Sequence, residues 1–158
     1  MAAAQLTLSV PALPAAVTAA RHAAMDAIAS WDAGLSPSVV HTAEVVISEL
    51  VTNAVRHAGT GPVSLTMQVV GPFLRIEVYD TSPRLPRPDI PDADSESGRG
   101  LLLVAALTDR HGAEPTANGK RCWAEIDLRP NPEPTADTPC QRNNTGLLAN
   151  ALTGDRPC

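Results

Sequence analysis

Apolar and polar positions follow two periods along the chain, and these periods predict helices and strands in a defined order. Apolar residues that recur every three or four positions indicate amphipathic helices, whereas strict alternation indicates strands with one buried face. The predicted elements are helices at 15–31, 36–59 and 100–107 and strands at 5–10, 63–69, 74–79 and 121–128. The segment after the third helix leaves room for one strand or two.

The apolar faces of the first two helices can be identified from the spacing of their apolar residues. In the second, Ser36 is a suitable N-cap, Pro37 fits the first turn, and Gly59 ends the helix. Its apolar stripe consists of Val40, Ala43, Ile47, Leu50 and Ala54. The predicted face of the first helix contains Val17, His22, Met25 and Ile28.

The order of elements predicts the fold class. Neighbouring strands with no helix between them indicate an antiparallel or mixed sheet, and one-sided helical stripes place the helices on one face. We therefore expect an α+β fold, a two-layer α/β sandwich with a mixed, mostly antiparallel sheet. Residues 1–128 form the predicted domain, and the proline-rich residues 129–158 form a predicted disordered tail.

Charge and composition narrow the function classes. The chain has 12 basic and 17 acidic side chains and a formal charge of −5, which disfavours a nucleic-acid binder that neutralises phosphates. No apolar run approaches the roughly 20 residues of a membrane helix, so we expect a cytoplasmic protein. The three cysteines lack a metal-binding spacing and are predicted free thiols: Cys122, Cys140 and Cys158.

A long loop interrupts the predicted domain at 81–97. Four prolines and several acidic residues lie in it. Loops of this length in a compact domain are usually functional lids or disordered insertions, and both readings remain open at this point.

Three short stretches carry residues suited to chemistry. Glu49 and Asn53 lie one helical turn apart, where two oxygen donors suit a hard cation or orient a hydroxyl, although such spacing by itself more often marks a solvated helix face. Asp80 follows a strand, where its carboxylate is placed to accept a hydrogen bond from a ligand amino group or to close an Asx turn. Gly98 and Gly100 open a helix, which suits anion binding or a hinge.

The three stretches together resemble the GHKL ATP-binding superfamily. Residues 49–57, ELVTNAVRH, are similar to its N box. Residues 80–83, DTSP, resemble its first glycine box in an Asp-x-Ser-Pro variant, and residues 98–101, GRGL, resemble the second. The resemblance covers residues 5–128 and is closest to the stand-alone branch of anti-sigma-factor serine kinases of actinobacterial type.

That resemblance implies a Bergerat fold that binds ATP and Mg²⁺. Asn53 would be the Mg²⁺ ligand, Glu49 the general base, and Asp80 the acceptor of the adenine amino group. The second glycine box would contact phosphates through Gly98, Arg99, Gly100 and Leu101. The 81–97 loop would be the ATP lid, and either Arg84 or Arg99 would reach the γ-phosphate. His57 is equally suited to packing at the helix end and to contacting the ligand.

The first glycine box departs from the usual Asp-x-Gly-x-Gly because Ser82 and Pro83 replace its first glycine region. That replacement makes magnesium binding a firmer expectation than selectivity for adenine.

The resemblance implies a serine/threonine protein kinase that phosphorylates an antagonist protein and sequesters a sigma factor. A homodimer is compatible with it, and no direct contact with nucleic acid or membrane is expected. An alternative is a nucleotide-responsive binding module without phosphotransfer, which would need Asn53 and Asp80 but no general base. A third reading is an unrelated α+β protein with chance motifs.

Overall fold

The computed structural model describes residues 4–59, 61–85 and 96–130. Within these ranges the chain forms five strands and three helices. In chain order they are β1 (Gln5–Val10), α1 (Pro14–Ser30), α2 (Pro37–His57), β2 (Val63–Val70), β3 (Phe73–Asp80), α3 (Glu96–Leu107), β4 (Arg110–Thr116) and β5 (Gly119–Asp127). The α+β prediction is confirmed, and the part of the loop at 86–95 and nearly all of the predicted tail lie outside the described residues.

The five strands form one sheet in the order β1-β2-β3-β5-β4. Each of the four pairings is antiparallel, which agrees with the mostly antiparallel sheet that the sequence predicts, and the described part of the sheet has no parallel pair. The β2–β3 hairpin turns at Gly71. Its φ of 56° lies in the left-handed region, which glycine adopts at little energetic cost.

The helices pack on one face of this sheet. Helix α2 contacts β2, β3 and β5 and also both other helices. Its predicted stripe is confirmed, since Ala43, Ile47, Leu50 and Ala54 are buried. In α1 the buried positions are Ala20, Ala24 and Ile28, whereas His22 is exposed, which corrects the predicted face of that helix.

The other face of the sheet carries a network of charged side chains. Glu77 accepts hydrogen bonds from Arg75 Nε at 2.6 Å, Tyr79 Oη at 2.9 Å and Arg121 Nη1 at 3.2 Å. Arg75 Nη1 also donates to Glu125 Oε1 at 2.9 Å. This polar face confirms that the helical layer lies on one side alone within the described residues.

Two boundaries differ from the sequence expectation. Helix α3 begins at Glu96, four residues before the predicted start, so the second glycine box lies inside the helix and not ahead of it. The segment after α3 forms two strands, joined by a tight turn before Gly119. No helix in the described ranges is long and apolar enough to cross a membrane.

Candidate functional site

Helix α2 carries a row of polar side chains at four-residue intervals. Ser36 fixes its start, because the Ser36 hydroxyl accepts a hydrogen bond from Val39 N at 3.3 Å. From that start, Glu49, Asn53 and His57 follow one another along the same side of the helix. Glu49 is half-buried, and Asn53 is only 5 % exposed. Eight residues at 1.5 Å each separate the two ends of the row by about 12 Å.

At one end of the row, Glu49 meets the second glycine box. A Cβ added at Gly100 would overlap Glu49 Oε2 and lie 3.2 Å from Glu49 Cδ. Gly100 therefore lets α3 lie directly against the Glu49 carboxylate, and a Cβ at this position would require the flexible Glu49 side chain to shift. The structure thus brings together two of the predicted site residues that lie 51 positions apart in the sequence.

At the sheet, Asp80 is the last residue of β3 and is buried, 6 % exposed. The Asp80 carboxylate accepts from Ser82 N at 2.8 Å through Oδ1, which is the Asx turn that the sequence allowed. Its Oδ2 lies 3.1 Å from Lys120 Nζ. The position of Asp80 at a strand end is confirmed, but its carboxylate is held more tightly than the sequence suggested.

Lys120 is the site residue that the sequence analysis missed. It pairs in register with Asp80 across the β3–β5 ladder, and its side chain is on the helix-facing side of the sheet. The signal was present in the alternation of β5: Lys120 continues the buried positions Cys122, Ala124 and Ile126 by one step. A lysine on the apolar side of a strand needs a partner, and Asp80 is that partner.

The C-terminal end of α2 lies next to this ion pair. Thr81 Oγ1 donates to Ala58 O at 3.3 Å, which ties the end of β3 to the end of the helix. Although much of the His57 side chain is exposed, burial lowers the pKa of His57; the Lys120 ammonium lowers it further, whereas the Asp80 carboxylate raises it. The row on α2 therefore runs from Gly100 at one end to the Asp80–Lys120 pair at the other.

Close backbone contact holds the two strands together beside the pair. A Cβ added at Gly119 would overlap Asp80 O and would lie 2.6 Å from Thr81 Cα. Glycine is required at this position because backbone, not a flexible side chain, occupies the space. The register that places Lys120 opposite Asp80 depends on that contact.

The structure does not distinguish between the two predicted arginines, because both side chains are exposed. Arg84 and Arg99 are both exposed, and Arg84 N donates to Ser82 Oγ at 3.3 Å. Residues 86–95 of the predicted 81–97 lid lie outside the described residues, so the choice of the arginine that reaches a phosphate stays a prediction. Leu101 is half-buried and packs against the hydrophobic core.

A pocket of about 360 Å³ opens at the same end of the sheet, and no residue of the polar row on α2 is in its described lining. Its lining includes Asp80 and Thr81 at the end of β3, Ser64 and Tyr79, whose side chains point away from the helices, and Thr116 and Asn118 from the end of β4 and the turn that follows it. The chemistry-bearing residues Glu49 and Asn53 are absent from its described lining. We therefore place the candidate site between α2, α3 and the end of β3.

Asn53 fits a magnesium ion shared with a ligand, and Glu49 lies one helical turn away. The Asn53 side chain offers an oxygen donor, which Mg²⁺ prefers, and Mg²⁺ is usually held by one or two protein groups together with substrate phosphates. Among the described residues no group of three or more His, Cys, Asp or Glu side chains is placed to hold a metal by itself. The donor set matches an ion that takes its remaining ligands from a nucleotide.

The sequence profile of the family described as "Histidine kinase-like ATPase domain" matches residues 10–125. That span covers all three boxes and most of the chain. The chain belongs to the histidine kinase-like ATPase domain family. As a member of this family it has the domain type that binds ATP, and the resemblance to the GHKL superfamily is thereby confirmed, whereas the anti-sigma branch remains a prediction.

Solved structures similar to this histidine kinase-like ATPase domain include the histidine kinase domain from Erythrobacter litoralis EL346 blue-light activated histidine kinase. The two share 22 % sequence identity, with a TM-score of 0.49, and the match covers 75 % of this chain and 61 % of that chain. No curated protein matches this chain in sequence.

Proposed function

We infer that this protein is an ATP-dependent serine/threonine protein kinase in which Glu49 is the general base. The observation that supports it is the contact between the Glu49 carboxylate and Gly100 of the second glycine box. A base at this position faces the helix whose first turns carry the predicted phosphate contacts. A module that only binds nucleotide would have no use for a carboxylate there.

The proposed roles divide along α2. Asn53 and the nucleotide phosphates would hold Mg²⁺, which supplies charge neutralisation on the phosphates when bound. Asp80 would accept from the amino group of the base at the far end of the row. Backbone N–H groups of the first turn of α3, including that of Gly98, would contact the phosphates, because they have no partner within the helix.

The transfer itself is a displacement at phosphorus. The substrate hydroxyl oxygen forms a bond to the γ-phosphorus while the bond from that phosphorus to the bridging β–γ oxygen breaks, and ADP leaves. The hydroxyl proton passes to the Glu49 carboxylate. Positioning and charge neutralisation supply most of the rate in such reactions, so a small domain is sufficient.

The partners are proposed from the resemblance of the three boxes. The hydroxyl would belong to a serine or threonine of an antagonist protein, and the kinase would sequester a sigma factor while it is not engaged with that antagonist. A homodimer is part of the same proposal.

Nucleotide binding is tested by thermal unfolding with and without Mg-ATP. At a nucleotide concentration a hundred times Kd, ligand binding stabilises the folded state by about 2.7 kcal/mol. We expect this stabilisation in the parent and in Gln68→Ala, which removes an amide from the opposite face of the sheet, and its loss in Asn53→Ala. A parent that shows no stabilisation at any Mg-ATP concentration would contradict the nucleotide site.

Phosphotransfer is tested with γ-labelled ATP and a candidate antagonist protein. Removal of a general base typically costs about 10²- to 10⁴-fold in rate. We expect such a loss in Glu49→Ala but not in Glu44→Ala, a matched control on the same helix. Equal labelling by the parent and Glu49→Ala would remove the catalytic role of Glu49 and favour a binding module.

A further inference from the structure

Lys120 is an unusual residue for a buried position. It is 1 % exposed and stands first by volume among the fully buried side chains of the described residues. Lysine is almost never fully buried without a partner, because its ammonium loses the hydration that water supplies. The chain contains a single lysine, so this burial is not part of a general surplus of basic residues.

Lys120 and Asp80 each use only part of their hydrogen-bonding capacity. The ammonium group has three N–H donors, and Asp80 Oδ2 at 3.1 Å is the one acceptor that faces it in the described part of the chain. Asp80 in turn accepts from Ser82 N through its other oxygen, which leaves further lone pairs on both oxygens. Each member of the pair can therefore make one more hydrogen bond to a ligand.

The pair lies at one end of the row on α2. The Lys120 charge acts on His57, the last residue of that row, and on Cys122 beside it in β5. Asp80 and Lys120 face the same side of the sheet as α2, since they continue the core-facing positions of β3 and β5. A base that reached Asp80 would thus meet Lys120 as well.

We propose, resting on the proposed nucleotide-binding function, that Lys120 determines which base the site accepts by donating a hydrogen bond to the ring nitrogen beside the amino group that Asp80 accepts. In adenine, the 6-amino group is a donor and the neighbouring N1 is an acceptor. Asp80 and Lys120 present an acceptor and a donor side by side in the complementary order. The pair would form hydrogen bonds to two adjacent positions of the base, whereas a carboxylate alone would bond only one.

A purely structural ion pair gives a different expectation. If Lys120 only neutralises Asp80, its loss weakens the binding of every adenine nucleotide by the same factor. If Lys120 donates to N1, its loss weakens only nucleotides that carry N1. The ratio of two dissociation constants separates the roles, because it is insensitive to a general loss of affinity.

The test is titration calorimetry of the full-length protein with Mg-ATP and with the Mg complex of 1-deaza-ATP, in which a C–H group replaces N1. Hydrogen bonds to charged groups typically correspond to about 10- to 100-fold in affinity. We expect the parent to bind ATP more tightly than 1-deaza-ATP by that factor. We expect Lys120→Met to bind the two nucleotides with equal affinity.

Arg121→Met is the matched control. Arg121 is the next residue in β5, and its side chain lies on the opposite face of the sheet, where it bonds Glu77 and Glu114. This variant should keep the parent ratio. If Lys120→Met does not fold, the Asp80→Asn/Lys120→Met variant removes both charges of the pair, and it should also show a ratio near one.

The outcomes separate this inference from the proposed function. A parent that binds ATP and 1-deaza-ATP equally overturns the role of Lys120 and leaves the nucleotide site intact. A Lys120→Met variant that keeps the parent ratio does the same. A parent that binds neither nucleotide overturns the nucleotide site and this inference with it.

Discussion

Glu49 and Gly100 form the contact on which the proposed catalytic role depends. A glycine inside α3 weakens that helix, and replacing it with alanine would ordinarily stabilise it by about 0.5–1 kcal/mol. Here the added Cβ would overlap the Glu49 carboxylate. The helical preference for alanine and the steric cost of displacing the Glu49 side chain are therefore opposed at this position.

A double-mutant cycle measures that opposition. In a Glu49→Ala background, Gly100→Ala should raise the free energy of unfolding by about 0.5–1 kcal/mol, because the obstructing carboxylate is gone. In the parent, the same substitution should give a smaller gain or a loss. Urea denaturation of the four proteins supplies the values, and an identical effect in both backgrounds would show that the contact carries no energy.

Cys122 should be a protected thiol. Burial raises its pKa to about 11, with Asp80 raising it and Lys120 lowering it. Since the thiolate is the reactive form, the thiol is protonated at pH 8 and gains reactivity only as the pH approaches 11.

We expect a Cys140→Ser/Cys158→Ser variant to react with a disulfide reagent at pH 8 at least about 100-fold more slowly when folded than in 6 M guanidinium, as set by thiolate fraction and access. Absorbance of the released thiolate gives both rates. Similar rates would mean that Cys122 is not buried in solution.

At the scale of elements, α2 was predictable because its signals are local. Its cap directly precedes the 21 helical residues that contain its first-turn proline and its apolar stripe, and the structure places each where the sequence indicates. The start of α3 was not predictable in this way. Two glycines favour a break, yet α3 includes both of them and packs against α2, which offsets their low helix propensity.

The N-cap of α2 offers a direct test of the local signals. Ser36→Ala removes the acceptor for Val39 N and should lower the free energy of unfolding by about 1 kcal/mol. Ser36→Asp keeps an acceptor at the same place and should stay within about 0.5 kcal/mol of the parent. Urea denaturation distinguishes them, and equal stability of the two variants would deny the cap any role.

Strand β4, at one edge of the sheet, could not be predicted with certainty from the sequence. Gly112 and Pro115 both weaken a strand pattern, but an edge strand tolerates them. The Trp123 ring covers Gly112, with ring atoms 2.9 Å from where a Cβ would lie. The pairing with β5 supplies what the local sequence lacks.

At the scale of the whole molecule, the predicted division into a domain and a tail has a simple test. All eight described elements end by Asp127. If residues 131–158 add no cooperative structure, a chain that ends at Pro130 should unfold at the same urea midpoint and with the same m-value as the full chain. A larger m-value for the full chain would show that the last residues bury surface with the domain.

The sequence by itself determined the type and order of most elements, the buried face of α2, and the three stretches to which the resemblance assigns the candidate chemistry. Those features depend on spacing within a few turns or strands, where geometry is fixed by the backbone. Glu49, Asn53 and Asp80 were found in this way, because their helix turn and strand end are local.

Only the tertiary structure decided which distant residues meet. Strand β5 lies between β3 and β4, and this order brings Lys120 opposite Asp80. The approach of α3 to α2 sets Gly100 against Glu49. Neither pair is encoded by a local period, since strand pairing and helix packing are selected by the shape and burial of the whole core.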